Sequence, residues 1–139
     1  MAQTVNEVMT ADPRTVDMGA PLAEAAVQMR DADIGAVLAV DGGEVKGIVT
    51  DRDIAVRAVA EGRDPATTPV SEICTSEVVT LTADQSVDDA LRLMQEHDVR
   101  RLPVVQDGRA AGIVSLGDVS KERDSGETLA DISTSSPNN

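Results

Sequence analysis

Two short stretches carry the groups that could do chemistry. They are Gly47-Ile48-Val49-Thr50-Asp51-Arg52-Asp53-Ile54 and Gly112-Ile113-Val114-Ser115-Leu116-Gly117-Asp118-Val119. Each joins an apolar run to a hydroxyl residue and places an aspartate three positions further on. A buried strand that turns into a helix here brings backbone amides and a hydroxyl to the helix N-terminus, where anions are held. The aspartate, one turn later, can accept hydrogen bonds from paired hydroxyls such as those of a ribose. The same residues can also serve the fold alone. Thr50 and Ser115 suit an N-cap, with Asp53 and Asp118 at N3 as the acidic half of a capping box. Both readings stand on the sequence.

Little else in the chain suggests catalysis. His97 is the only histidine and Cys74 the only cysteine. They lie in different elements and form no nucleophile–base pair on the sequence. No spacing of His and Cys marks a metal site. Asp51 and Asp53 could hold Mg²⁺ beside a phosphate, although paired acids at a helix start ordinarily serve the helix dipole. With no convergent acid, base and nucleophile, the expectation is a chain without catalytic residues and without a bound metal.

The elements that position the two stretches form a repeat. Shifted by 65 residues, Val5–Ile54 aligns with Val70–Val119 without a gap, and thirteen of the fifty positions are identical. Such self-similarity marks two copies of one supersecondary unit. In the first copy, a helical turn at 6–9 and an extended piece at 14–16 precede a helix. Pro21 suits its first turn, and Leu22, Ala25, Ala26 and Met29 give it an apolar stripe ending near Ala32. Ala36–Val40 is a continuous apolar strand, covered on both faces. Asp41-Gly42-Gly43-Glu44 is a hairpin turn, and Val45–Thr50 is the return strand. A helix over 52–61 follows, with Ile54, Ala55, Ala58 and Val59 facing inward and Gly62 as its stop.

The second copy repeats this order. It has a helical turn at 70–73, an extended piece at 79–81 and a helix over 86–96 with Val87, Ala90, Leu91 and Met94 inside. Strands at 102–105 and 110–115 turn through Asp107-Gly108, and a last helix fades near Glu122. Residues 1–62 form the first motif, 63–69 a linker, 70–123 the second motif, and 124–139 a disordered polar tail. Each motif reads β-α-β-β-α, a small sheet with helices on one face. The fold class is α/β, with the two copies packed sheet to sheet about a pseudo-twofold.

The repeated pattern carries a family resemblance. Val-x-Glu-Val-Met-Thr, an amphipathic helix, Leu-Pro-Val-Val, a turn, and Gly-Ile-Val-(Thr/Ser)-x-x-Asp resemble the CBS motif, here twice, over residues 5–122. Two such motifs are similar to a CBS pair, or Bateman module. Thr50-Asp51-Arg52-Asp53-Ile54, Glu61-Gly62-Arg63-Asp64-Pro65 and His97-Asp98-Val99-Arg100-Arg101-Leu102-Pro103-Val104 resemble, more narrowly, small stand-alone CBS proteins of actinobacteria.

The resemblance implies clefts between the motifs that accept AMP, ATP or another adenosyl ligand. It assigns ribose contact to Asp53 and Asp118 and phosphate contact to Thr50 and Ser115. It places the base along Val37–Ala39 and along Leu102, Pro103 and Val104. Arg100 and Arg101 fall where related modules aim basic residues at phosphates, and an arginine pair can offer bidentate donors. The copies differ: Gly35 and Ala36 stand where the second has Arg100 and Arg101, and Arg52 stands where the second has Gly117. Arg52 either substitutes in the first site or pairs with Asp51 or Asp53.

Composition bounds the partners. The net charge of −13 opposes nucleic acid and acidic membrane, which need a basic surface. The chain contains no Phe, Tyr or Trp, so no ring can stack on a purine. The base must sit among aliphatic side chains and read backbone groups. One cysteine allows no internal disulfide, which suits a reducing cytoplasm. Cys74 replaces Met9 of the first copy and reads as a small buried hydrophobe. No apolar run approaches the about 18 residues of a membrane span.

Two functions follow. The leading one is a non-enzymatic regulatory module that senses an adenine nucleotide and signals by conformation, by self-association or through a protein partner. The alternative is a ligand-independent homodimeric stress or interaction protein, in which the motif serves capping and packing.

Overall fold

The computed structural model describes residues 3–75 and 78–124. Its elements alternate helix and strand. They are α1 (Val5–Val8), β1 (Thr10–Ala11), β2 (Thr15–Asp17), α2 (Leu22–Ala32), β3 (Ala36–Asp41), β4 (Glu44–Thr50) and α3 (Asp51–Asp53). A π-helical segment, Ile54–Val59, continues α3, and a 3-10 turn spans Val70–Glu72. Then come α4 (Val87–His97), β5 (Arg101–Gln106), β6 (Arg109–Ser115) and α5 (Leu116–Asp124). The mixed α/β class is as the sequence predicts. The tail expected to be disordered falls, from residue 125 on, outside the described residues.

By packing, the chain divides into two compact units. The first-motif unit is built on Pro13–Val78, and the second-motif unit on Val79–Asp107 and Ala111 onward together with the segment ending at Asp12. Each has one three-stranded sheet. In the first-motif unit the order is β2-β3-β4, with β2 parallel and β4 antiparallel to the central β3. In the second-motif unit it is β1-β6-β5, and Leu81 adds a parallel bridge to Val104.

The lead-in of each repeat is packed with the sheet of the other. β1 pairs with β6 through Thr10↔Ile113 and Ala11↔Gly112, and Val5 joins the core of the second-motif unit. Reciprocally, Thr75 bridges Ile48, while Val70, Ile73 and Cys74 join the core of the first-motif unit. The repeat is kept in the hydrogen bonds. Leu22 N donates to Thr68 O, and Val87 N donates to Gln3 O, each 65 residues on from its counterpart.

Each core is aliphatic. Val16, Leu22, Ala25, Met29, Val37, Ala39, Val49 and Ala58 make most of one. Leu81, Val87, Ala90, Met94, Leu102, Val104, Val114 and Val119 make most of the other. The apolar stripes of α2 and α4 face these cores as their spacing predicts. Both hairpins turn with two positive φ angles, at Gly42-Gly43 and at Asp107-Gly108, the condition of a tight type I′ turn.

The helix expected over 52–61 differs. After Asp53 it widens to π geometry, with Ala60 N bonded to Ala55 O and Arg63 N to Ala58 O, five residues back. A wider turn returns inward every four to five residues. Ile54 and Ala58 therefore pack inward. Ala55 turns out, and Val59, expected inside, is 64% exposed. No helix among the described residues is long and apolar enough to cross a membrane.

Candidate ligand-binding site

The two hydroxyl-x-x-aspartate motifs begin at the ends of β4 and β6. Thr50 is still extended, with φ −113° and ψ 165°, so the chain leaves the strand and enters the helix at that residue. Its Oγ1 accepts from Asp53 N at 3.0 Å, and Asp53 Oδ2 accepts from Thr50 N at 2.9 Å. The second motif matches: Ser115 Oγ accepts from Asp118 N at 3.1 Å, and Asp118 Oδ2 accepts from Ser115 N at 3.0 Å. Both are complete capping boxes. The capping reading therefore holds in both copies, and it does not exhaust the groups. Each hydroxyl keeps its O–H to donate toward an anion, and each carboxylate keeps a second oxygen.

The strand before each hairpin reaches the same point. Asp51 N donates to Gly35 O at 3.0 Å, and Leu116 N donates to Arg100 O at 2.7 Å. In the second motif this brings the Arg100 backbone to the start of the segment holding Ser115, Gly117 and Asp118. Arg100 is exposed there and Arg101, the first residue of β5, is partly buried. In the first motif Gly35 and Ala36 hold the equivalent place, with Ala36 paired to Thr50. Arg52 and Gly117 are both exposed.

The residues expected along the base lie deeper. Val37 and Ala39 are fully buried in the core of one unit, and Leu102 and Val104 are buried in that of the other. Pro103 is buried too. β3 is the central strand of its sheet, and β5 lies at the end of the strand order with Leu81 bridged to Val104, so backbone groups of both strands are already bonded. Leu38 N donates to Arg14 O, and Pro103 O accepts from Leu81 N at 2.9 Å.

Arg57 is the residue sequence reasoning missed. Its Nε lies 3.8 Å from Asp53 Oδ1, and its Nη1 donates to Ile73 O at 3.1 Å. The Asp-x-x-x-Arg spacing on a helix was the available signal. Arg52, which the sequence offered as a partner for Asp53, makes no side-chain ion pair among the described residues. Cys74 lies beside this group, buried, with Sγ 3.7 Å from Met18 Sδ. Burial, and secondarily the Asp53 carboxylate, push its thiol above the ordinary range.

Residues 5–59 and 70–125 each match the model of the CBS domain. The chain belongs to the CBS domain family. Its two motifs form a CBS pair similar to the CBS domain-containing protein YhcV of Bacillus subtilis, 40% identical over 94% of this chain and 93% of that one. It is also similar to Hypoxic Response Protein I, whose crystal structure holds two coordinated zinc ions. That match is 35% identical with a TM-score of 0.77, over 86% of this chain and 98% of the other. The CBS domain pair of MJ0100, solved in complex with 5′-methylthioadenosine and S-adenosyl-L-methionine, matches with a TM-score of 0.81 at 29% identity. It is covered over 100% of its length and 91% of this chain. Among the described residues, no group of three or more His, Cys, Asp or Glu side chains is placed to hold a metal in this CBS pair.

Proposed function

We propose that this CBS pair is a non-enzymatic regulatory module that binds an adenosine-type ligand, such as AMP, ATP or an adenosyl compound. The observation that carries the reading is the Ser115–Asp118 box. It leaves an O–H donor and a carboxylate oxygen at a helix start, the pairing that a phosphate and a ribose diol require. The adenosyl ligands of the MJ0100 pair support the same class. Arg100 and Arg101 supply the cationic groups in an otherwise acidic chain. Binding favours one arrangement of the pair over another, and that difference in affinity is the signal. The output passes to a protein partner or to self-association as a homodimer. A chain with one cysteine needs no oxidising compartment, which fits the cytoplasm.

Calorimetry with AMP, ATP, 5′-methylthioadenosine and S-adenosylmethionine on Asp118→Ala tests this. Binding to the unaltered chain and its loss in the variant are expected. Equal binding by the variant would remove Asp118 from the site.

A second reading has its own observation. Both boxes are satisfied internally, and Val56 and Val59 lie 48% and 64% exposed on the π segment. A ligand-independent homodimer uses exactly such capping and such an apolar face. It expects no binding by any of these compounds, a stability loss of about 1 kcal/mol in Asp118→Ala, and dimers in sedimentation velocity. A monomer at all concentrations would dismiss it.

A further inference from the structure

The two motifs place one methionine differently. In the second-motif unit Met9 lies against Gly112, and Met9 and Ala83 both pack on the core. Shifted by 65 residues, their counterparts are Cys74 and Met18. In the first-motif unit Cys74 lies against Gly47, and the methionine stands instead in the turn after β2, where Met18 packs on the core. A smaller residue at one position is met by a larger one at the other, so the volume of a filled core is kept. The exchange also brings two sulfurs together, with Cys74 Sγ 3.7 Å from Met18 Sδ.

Met18 is held through its N–H, its carbonyl and its side chain. The N–H donates to Val40 O at 2.9 Å, and the carbonyl accepts from Ser71 N at 2.9 Å. Two residues on, Ala20 O accepts from Val70 N at 2.8 Å. The turn at 17–20 therefore fastens the segment at 70–74 to this unit, and the Met18 side chain meets Cys74 inside that joint. The two sulfurs differ in reactivity. Cys74 is 7% exposed, and burial, then the Asp53 carboxylate, keep it as the neutral thiol, which peroxides attack slowly. A thioether has no proton to lose, so its oxidation follows access. Met18 is partly buried, whereas Met29 and Met94 lie inside the two cores.

We propose that Met18 is an oxidation site that controls access to Cys74: a hydroperoxide converts the Met18 thioether to the sulfoxide, and the sulfoxide loosens the joint that covers the thiol. In this step the distal peroxide oxygen bonds to Sδ as the O–O bond breaks. The sulfur is oxidised and the peroxide reduced, and the proton of the transferred oxygen passes to the departing one, which leaves as water. The sulfoxide carries a strong acceptor into a partly buried apolar contact, where the neighbouring donor is the Cys74 S–H, a weak one. A polar group without a matched partner is costly to bury, so the local opening that exposes the segment at 70–74 becomes more frequent. Methionine sulfoxide reductases return the thioether, which makes the change reversible.

Site-resolved mass spectrometry and thiol labelling test this on the full chain. The protein is treated with hydrogen peroxide, quenched, reduced with dithiothreitol to return any sulfenic acid or disulfide to thiol, desalted, and labelled with a maleimide under native conditions. Met18 is expected to oxidise ahead of Met29 and Met94, with Cys74 still a thiol. The labelling rate of Cys74 is expected to rise about tenfold over the untreated chain, the shift in local opening that burial of one unpaired polar group implies. Methionine sulfoxide reductases for both epimers are expected to restore the slow rate, and this arm needs no variant to fold. Met18→Leu, of similar size and without a thioether, is expected to label slowly before and after peroxide, although it keeps Met9. Met18 left unoxidised, Cys74 oxidised ahead of it, Met18 sulfoxide with an unchanged labelling rate, no return on reductase treatment, or a peroxide response that persists in folded Met18→Leu would each overturn the proposal.

Discussion

At the scale of single residues, the two aspartates close the same capping box in both motifs. A capping box consumes one oxygen of the carboxylate and one lone pair of the hydroxyl, and at Asp53 the other oxygen lies 3.8 Å from Arg57 Nε, one helical turn away. Cys74 shows the same dependence on surroundings. The thiol is buried against Met18, and burial, then the nearby Asp53 charge, raise its pKa. The folded state therefore favours the neutral thiol. Its contribution to stability is fully present below the unfolded thiol's pKa of about 8.5 and is lost as pH rises through the folded value. Urea midpoints measured from pH 7 upward should fall more steeply in the unaltered chain than in Cys74→Ala. A parallel decline would show that Cys74 contributes nothing to it. Alkylation of the native thiol at neutral pH should likewise be slow, since the thiolate is the reactive form.

At the scale of elements, the glycines that open the two key stretches are explained by what crosses them. A Cβ on Gly47 would stand 2.7 Å from the Thr75 carbonyl oxygen and 2.9 Å from Cys74 Sγ. A Cβ on Gly112 would stand 2.9 Å from the Thr10 carbonyl oxygen. These are the bridging segments that lie beside β4 and β6, and backbone cannot step aside as a side chain can. Gly47→Ala and Gly112→Ala should each cost about 1–3 kcal/mol, the range for overpacking a filled site, measured by urea unfolding followed by circular dichroism. A loss below a few tenths would mean that the segments yield freely. The strands, the hairpin turns and the inward stripes of α2 and α4 were legible in the sequence, because period and turn chemistry are local. The exchange of lead-ins was not, since an apolar Val5 or Val70 states that it must be covered and not by which sheet. The π widening was equally hidden. Ile54, Ala55, Ala58 and Val59 fit an α-helical stripe, and only the five-residue hydrogen bonds turn Ala55 and Val59 outward.

At the scale of the whole molecule, a chain without aromatic residues builds its cores from many small aliphatic contacts and carries a net charge of −13. An anionic ligand must then be held by local donors against a repulsive field, which places the weight on a few groups. Of the candidate groups, Thr50, Asp53, Ser115 and Asp118 could be read from the sequence because the repeat displayed them twice. The role of Arg57 could not, because it depends on the Ile73 carbonyl, which the fold brings up from sixteen residues away. The side chains of Val37, Ala39, Leu102 and Val104 lie within the cores of the two units, a depth that an apolar strand does not reveal in the sequence. The lack of aromatic residues also makes the decisive measurement simple, because the protein is nearly transparent where adenine absorbs. The unaltered chain would be dialysed to equilibrium against AMP, ATP, 5′-methylthioadenosine and S-adenosylmethionine in turn, and adenine absorbance read on both sides of the membrane. Excess absorbance on the protein side for at least one compound is the predicted result. Equal absorbance on both sides for all four, with the protein folded and at a concentration well above the dissociation constant a regulatory site would need, would contradict it.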